Sequence, residues 1–258
     1  MGYECLKKLE VRNLYKEYLL NGQAFTVLDN INFSLESGDF LTILGPSGCG
    51  KTTLIRCICG IEAPELGEVR IDGANIKGIG PDRLMIFQDF NQLFPWKSVV
   101  DNVTYPLKLN KVGSNKEERE VIANEYLEMV NLTAFRNAYP NQLSGGMRQR
   151  VAIARSLALQ PKVLLMDEPF GALDAQTRAI LQKELLVLWE KYKTTIIFIT
   201  HNVQESIILG SKVMVLSLCP AKIKLMTENP LESPRMPETS EFMAFWRELY
   251  GKLDTKRF

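Results

Sequence analysis

The chain has 258 residues, of which 46% are apolar and 24% are charged, and its formal net charge is +1. This length suits one large α/β domain or two small ones. Disordered chains have fewer large apolar residues and more net charge, so the composition predicts an ordinary folded protein. A net charge this close to zero provides no broad basic surface, and we therefore predict no nucleic-acid partner.

Membrane spans, secretion signals and cysteine-based sites are not predicted. The longest apolar runs have the length of a strand, whereas a spanning helix needs roughly 18 apolar residues. The first residues lack a basic region followed by an apolar core, which favours a cytoplasmic protein. Five cysteines without a Cys-x-x-Cys pair, together with a single histidine, argue against a disulfide scaffold and a zinc site.

Two kinds of strand are predicted from the apolar pattern. Ile31, Phe33 and Leu35 alternate with polar residues, a period of two that is typical of an antiparallel strand. Residues 1–40 and 68–71 are therefore expected to form a small β-layer. Continuously apolar runs are typical of parallel strands covered by helices on both faces, and they occur at 41–44, 163–166, 196–199 and 213–216. The main domain is expected to be α/β.

Helical patterns and a proline-rich connector complete the predicted elements. The segment 89–159 contains helical patterns and no convincing strand, so we expect an inserted helical subdomain. Residues 1–88 and 160–258 are then expected to form the α/β core with the β-layer. Individual helices are predicted at 116–130, 175–193 and 240–250, the last after an extended connector at 229–237.

A phosphate-binding loop is predicted at 45–52. The segment reads Gly-Pro-Ser-Gly-Cys-Gly-Lys-Thr, which fits G-x-x-x-x-G-K-[ST], and it lies between an apolar strand and a helix as that pattern requires. Its backbone N–H groups and the helix start would surround a polyphosphate, with Lys51 neutralising the β- and γ-phosphates and Thr52 offering its hydroxyl to Mg²⁺. A glycine-rich turn that binds nothing is the disfavoured alternative. The predicted nucleotide-binding residues are Gly45, Pro46, Ser47, Gly48, Cys49, Gly50, Lys51, Thr52 and Thr53.

Two carboxylates follow the apolar strand at 163–166. Because ligands bind at the carboxyl ends of parallel strands, Asp167 is predicted to hold Mg²⁺ through water. Glu168 is then placed to orient or deprotonate a water that attacks the γ-phosphate. A solvated acidic strand end is an equally good interpretation of the pair alone, and the phosphate loop disfavours it.

A helix start with two glycines is predicted at 143–149, which reads Leu-Ser-Gly-Gly-Met-Arg-Gln. Ser144 is a candidate N-cap, and the glycines expose backbone N–H groups, so this helix end attracts anions. An ordinary helix cap without a ligand is the alternative for the segment alone. The segment resembles the signature motif of ABC ATPases.

Other motifs of that family follow in the family's order. Tyr18 is placed like the A-loop aromatic residue that stacks on adenine, with Tyr15 nearby, and Gln88 is placed like the Q-loop glutamine. Residues 171–174, Gly-Ala-Leu-Asp, resemble the D-loop, and His201 after a predicted strand resembles the switch histidine. The chain is therefore identified as a member of the ABC ATPase family from end to end.

The resemblance implies a P-loop NTPase (RecA-like) core with an N-terminal antiparallel β-subdomain and an inserted helical subdomain. It implies ATP and Mg²⁺ as cofactors. It also implies catalytic roles for Glu168, His201, Lys51 and Gln88, and contacts to the metal ion for Thr52, Gln88 and Asp167. The resemblance also implies an ATP sandwich in a homodimer, in which the nucleotide of one copy contacts the other copy's Ser144, Gly145 and Gly146.

Three segments are similar to importer ATPases of the nitrate, sulfonate and taurine type. These are residues 92–96, Gln-Leu-Phe-Pro-Trp, residues 170–178, and the C-terminal Pro234-Arg235 followed by a short helix. Contact with a partner and core packing are equally good interpretations of Phe94 and Trp96. The resemblance implies separate transmembrane permease subunits, an indirect solute-binding partner and a peripheral place on the cytoplasmic face of the membrane. It does not identify the solute.

Two functions other than transport are disfavoured by the sequence. A soluble ABC-type ATPase acting on nucleic acid, ribosomes or cluster assembly is disfavoured, because the sequence shows no second phosphate loop, coiled-coil insertion or basic stripe. A catalytically inactive interaction module is disfavoured because Lys51, Asp167, Glu168 and His201 are all present.

Two positions depart from the family pattern. Asn202 stands where the family commonly has aspartate, and Ala221 stands where glycine is usual. The first is expected to alter hydrogen bonding around His201, and the second is expected to reshape a turn.

Overall fold

The computed structural model describes residues 8–253, and residues 1–7 and 254–258 of the predicted ranges lie outside the described residues. These described residues form two compact units, 8–80 with 195–253 and 81–194. The first unit contains β1 (Leu9–Leu20), β2 (Gln23–Leu35), β3 (Phe40–Leu44), α1 (Lys51–Cys59), β4 (Leu66–Ile71), β5 (Ala74–Asn75), β8 (Thr195–Ile199), α6 (Val203–Leu209), β9 (Lys212–Leu216), β10 (Ile223–Glu228) and α7 (Ser240–Lys252). The second contains β6 (Arg83–Ile86), α2 (Val99–Leu109), α3 (Lys116–Met129), α4 (Gly145–Leu157), β7 (Val163–Asp167) and α5 (Ala175–Tyr192).

An antiparallel β-layer opens the first unit, in the strand order β2-β1-β4-β5. Strands β1 and β2 are joined by Asn21 and Gly22, whose φ angles of 51° and 80° are those of a two-residue hairpin turn. The alternating residues Ile31, Phe33 and Leu35 all lie in the core, with at most 8% of their surface exposed. The predicted β-layer is therefore present.

A second group of strands in the first unit has the order β10-β9-β3-β8. Strand β3 lies between β8 and β9 and runs parallel to both, while β10 is antiparallel to β9. Every residue of β3 and β8 is buried. The continuous apolar runs therefore predict their environment correctly, because neither face of these strands meets water.

The second unit contains the parallel pair β6 and β7 and all the remaining helices. Residues 87–162, which the structure describes throughout, form helices and turns and no strand. Helices α2, α3 and α4 each begin after a polar side chain that accepts a backbone N–H of the first turn, from Ser98, Asn115 and Ser144 respectively. Such caps satisfy the donors that a helix start leaves free. The division at 89 and 159 stays a prediction.

The longer helices are not membrane spans. Among residues 8–253, no helix combines the length and the apolar character that crossing a bilayer requires. The predicted helices at 116–130, 175–193 and 240–250 match α3, α5 and α7 within one or two residues at each end.

Candidate nucleotide site

The predicted phosphate loop lies between the end of β3 and the start of α1, as its sequence pattern requires. Gly50 is the residue before α1 and has a φ of 105°, a conformation that side chains rarely tolerate. A Cβ at this position would lie 2.8 Å from Val27 Cγ1. A Cβ at Gly45 would lie 2.8 Å from Cys49 Sγ. The loop conformation therefore needs glycine at both positions.

Lys51 places a positive charge at the loop. Its side chain is 6% exposed, and Nζ donates to the backbone oxygens of Gly45, at 2.7 Å, and Pro46, at 2.9 Å. The first residue of α1 is Lys51 itself, so the ammonium lies beside the positive end of the helix dipole. A helix start and a buried ammonium together favour an anionic ligand.

Cys49 is a packing residue of the loop. Its side chain is 1% exposed, and burial raises the pKa of its thiol, so the neutral form predominates. A raised pKa is the opposite of what a reactive thiolate requires.

The structure distinguishes between the two tyrosines near the loop. The Tyr18 hydroxyl donates to the Glu62 carboxylate and also contacts Thr53, the last predicted nucleotide-binding residue of the loop. Burial and the Glu62 hydrogen bond raise the pKa of Tyr18, which keeps the phenol neutral. The Tyr15 hydroxyl instead bonds to the side chains of Glu17 and Thr26. Tyr18 is therefore the tyrosine joined to the phosphate loop.

His201 follows β8 and is exposed at the start of α6. The next residue, Asn202, caps α6 because its Oδ1 accepts the backbone N–H of Glu205 at 3.2 Å. The Asn202 backbone N–H donates to Thr200 Oγ1 at 3.0 Å, and Thr200 also bonds to the Glu205 carboxylate. The amide oxygen thus accepts the bond that a carboxylate oxygen accepts in an N-cap, and the departure at Asn202 leaves this cap intact.

The second departure from the family pattern is also accommodated. Ala221 is fully buried, and its backbone N–H donates to the Val27 oxygen at 2.8 Å. Its backbone oxygen accepts from Asp29 N at 3.0 Å. Since the φ of Ala221 is outside the left-handed region, this turn does not need glycine.

In the second unit, Asp167 ends β7 with 7% of its surface exposed. Glu168 follows with a φ of 42°, a left-handed conformation that is uncommon for a residue with a side chain. A Cβ added to Gly171 would lie 3.8 Å from Glu168 Oε2 and 3.9 Å from Gln88 Nε2. The Gln88 amide and the Glu168 carboxylate therefore both lie beside Gly171.

The signature segment forms the first turn of α4. Ser144 is exposed and caps the helix, since its Oγ accepts the backbone N–H of Met147 at 3.2 Å. A Cβ added to Gly146 would lie 2.8 Å from Thr177 Cγ2, in the first turn of α5. The backbone N–H of Thr177 in turn donates to Asp174 Oδ1 at 2.9 Å, and this bond lowers the pKa of Asp174. The glycine therefore allows the signature helix to lie against the D-loop segment.

The sequence-predicted residues fall into one group in each unit. Tyr18, residues 45–53 and His201 belong to the first unit, and Gln88, residues 144–146, Asp167 and Glu168 belong to the second. Sequence reasoning treated Gly171 only as a member of the D-loop. The approach of Gln88 to Gly171 and Glu168 has no local signal, because Gln88 lies about 80 residues before them in the chain.

Comparison with known proteins identifies the family. The model of the ABC transporter family matches residues 28–171. The chain is 47% identical to an aliphatic sulfonates import ATP-binding protein of Bacillus cereus, over 88% of each protein. It is 46% identical to a nitrate import ATP-binding protein of Synechocystis, over 84% of this chain and 80% of that protein.

A solved structure agrees with these relatives. The dimeric post-hydrolysis state of an ATP-binding cassette bound to ADP and Pi superposes with a TM-score of 0.75 and 33% identity, over 87% of this chain and 100% of that one. The likeness to such cassettes confirms the predicted α/β P-loop NTPase fold. The chain belongs to the ABC transporter family and is an ATP-binding subunit that hydrolyses ATP.

Proposed function

We propose that the chain powers import of a small solute, of the nitrate, sulfonate or taurine kind, through separate permease subunits. The observation that carries the proposal is the identity of 46–47% to proteins named for nitrate and aliphatic sulfonate import. These relatives favour transport over a soluble ATPase acting on nucleic acid, ribosomes or cluster assembly. In this proposal the chain contacts nucleotide and permease, and a separate solute-binding protein delivers the solute.

The proposal gives the chain two kinds of partner. Permease subunits would hold it at the cytoplasmic face of the membrane as a peripheral subunit. A second copy would complete each ATP site, and the dimeric cassette to which this chain is similar supports that arrangement. The N–H groups at the start of α4 suit this role, because an exposed helix start binds anions.

We assign nucleotide binding to Tyr18 and residues 45–53. Lys51 supports the assignment, because its Nζ lies within 3 Å of two loop carbonyls and so stays where the phosphates would bind. Catalytic roles are assigned to Glu168, which would orient and deprotonate the attacking water, and to His201, which would hold the γ-phosphate. Gln88 would connect the nucleotide site with the permease, and the place of its amide beside Gly171, near the Glu168 carboxylate, supports that role.

The donor set also suits Mg²⁺. The proposed ligands are the Thr52 hydroxyl, the Gln88 amide and the Asp167 carboxylate, and oxygen donors are those that Mg²⁺ prefers. Among residues 8–253 no three or more acidic, histidine or cysteine side chains cluster as a metal site. When bound, Mg²⁺ would neutralise charge on the β- and γ-phosphates.

Changing Tyr18 to alanine is expected to weaken ATP binding about tenfold, because stacking of a base on an aromatic ring contributes roughly 1–3 kcal/mol. Tyr18→Phe keeps the ring and loses only the hydroxyl contacts with Glu62 and Thr53, so its ATP affinity should stay within about twofold of the wild type. Tyr15→Ala is the matched control. Titration with a fluorescent ATP analogue measures all three, and a larger loss in Tyr15→Ala than in Tyr18→Ala would reverse the assignment.

Affinity purification of the tagged chain from detergent-solubilised native cells tests the proposed function. We expect a stoichiometric, strongly apolar polypeptide with several spanning segments to co-purify and to be identified by mass spectrometry. A nearby gene product that binds a small anion would then identify the solute. Recovery of ribosomes, nucleic acid or soluble proteins alone would replace transport by the soluble function, without changing the nucleotide-site assignments.

A further inference from the structure

The last turn of α4 is bonded to the segment that carries Gln88. The guanidinium of Arg155 donates through Nη1 to the backbone oxygen of Gln92 at 2.9 Å. Its Cζ also lies 5.7 Å from the centre of the Phe94 ring, within the range of a cation–π contact. Arg155 therefore holds both the backbone and an aromatic side chain of the segment that follows Gln88.

Gln92 continues this connection toward Gln88. Its side-chain Oε1 accepts the backbone N–H of Phe87 at 3.2 Å, and its Nε2 donates to the backbone oxygen of Phe87 at 3.3 Å. Two bonds from one amide close the loop formed by residues 87–92. Since Phe87 directly precedes Gln88, the position of Gln92 constrains the backbone that carries Gln88.

Phe94 connects Arg155 with the protein surface. Its backbone is held by the fully buried Asn102, whose Oδ1 accepts the Phe94 N–H at 2.8 Å and whose Nδ2 donates to the Phe94 oxygen at 3.2 Å. The Phe94 ring packs against Trp96 with a centroid separation of 5.8 Å and against Tyr105 with one of 5.3 Å. Trp96 is 71% exposed, so this aromatic group is open to a partner on one side.

Arg155 has no ion-pair partner among the residues that the structure describes. Burial lowers the pKa of its guanidinium, and no carboxylate compensates for that cost. Its stabilising contacts are the Gln92 carbonyl and the Phe94 ring. The half-buried guanidinium is thus held by one hydrogen bond and one ring contact, both to the segment that follows Gln88.

We propose that Arg155 is a positioning residue that couples the aromatic group of Phe94 and Trp96 to Gln88 and to the signature end of α4. The inference rests on the proposed function and adds to it that a permease docks on this aromatic group. If a docked permease displaces residues 92–94, Arg155 would move with them through its bond to the Gln92 oxygen. Helix α4 has 13 residues and is about 20 Å long. A displacement of its last turn would therefore also move its first turn, which begins after Ser144.

The test uses Arg155→Met, which removes the donors and the charge while keeping an extended side chain, and Arg155→Lys, which keeps the charge. Arg150→Met is the matched control, because Arg150 lies on the same helix and pairs with Glu184 at 3.3 Å. ATP hydrolysis is measured for each purified chain alone and for its complex with the membrane subunits that co-purify with the wild type. Because Arg155→Met removes the charged donor to the Gln92 oxygen, it should lower the stimulated rate about tenfold or more.

The ratio of stimulated to basal rate distinguishes coupling from a structural role. Arg155→Met should leave the basal rate within about twofold of the wild type, since Arg155 is not one of the residues assigned to nucleotide binding, metal binding or catalysis. Arg155→Lys should recover part of the stimulation, and Arg150→Met should leave the ratio unchanged. If Arg155→Met lowers both rates by the same factor, Arg155 only stabilises the fold and the proposal is wrong.

Hydrogen exchange of the isolated chain tests the connection independently of any permease. The Phe87 amide should exchange faster in Arg155→Met than in wild type and in Arg150→Met, because its bond to Gln92 loses its support. Unchanged exchange at residues 87–94 would overturn the proposal. Failure of wild type to recover membrane subunits would instead overturn the proposed function, and this measurement would still decide the role of Arg155.

Discussion

Replacing Glu168 by glutamine is expected to lower kcat for ATP hydrolysis about a thousandfold, within the 10²–10⁴ range of general-base catalysis. Glutamine has nearly the same size as glutamate and cannot accept a proton from the attacking water. The ATP affinity should change little, because the phosphate loop around Lys51 is intact. ATP should therefore accumulate in a closed dimer, which size-exclusion chromatography with and without ATP detects.

Glu125→Gln is the control for this prediction, because it makes the same chemical change on the exposed face of α3. It should hydrolyse ATP at the wild-type rate and remain a monomer–dimer mixture whenever the wild type does. Hydrolysis by Glu168→Gln at a normal rate would show that another group activates the water. The left-handed backbone of Glu168, with φ at 42°, would then need an explanation other than catalysis.

Changing Gly146 to valine is expected to abolish ATP hydrolysis. The phosphate loop of the same chain should stay unchanged. The Cβ of the new residue would lie 2.8 Å from Thr177 Cγ2, so the first turn of α4 must shift. That shift would displace the N–H groups that are proposed to contact the ATP of the partner copy. Lys51→Ala should also be inactive, because it removes the charge that neutralises the phosphates.

Mixing the two inactive variants is the decisive measurement. A heterodimer contains one site with the intact Lys51 of the first variant and the intact Gly146 of the second. For two independent half-sites related by two-fold symmetry, an equimolar mixture should recover about a quarter of the wild-type rate. The control is the chain that carries both substitutions, which should restore nothing when mixed with either variant. A mixture no more active than its components would contradict the shared site.

Much of the fold follows from patterns that are local in the sequence. Continuous apolar runs predicted the buried strands β3 and β8, because a strand covered on both faces has no position for a polar residue. The phosphate loop was predictable for a similar reason. Its glycines, lysine and flanking elements form one short segment, and the constraint at Gly50 arises largely from its own backbone.

Other features were decided only by the tertiary structure. The sequence favoured Tyr18 as the A-loop residue with Tyr15 nearby, and in the folded chain it is the Tyr18 hydroxyl that contacts Thr53. The sequence departure at Asn202 suggested altered hydrogen bonding, whereas the folded chain uses its amide oxygen as an ordinary cap. The type of a residue limits which contacts it is able to make. Which partner is close enough depends on how the chain packs.

The sequence by itself determined the family, the α/β fold class and the segments that bear the motifs, because each is written in short runs of adjacent residues. Only the tertiary structure placed Gln88 beside Gly171 and Glu168 and joined Arg155 to Gln92. These contacts link segments far apart along the chain. Their formation depends on how strands and helices pack, which no local pattern encodes.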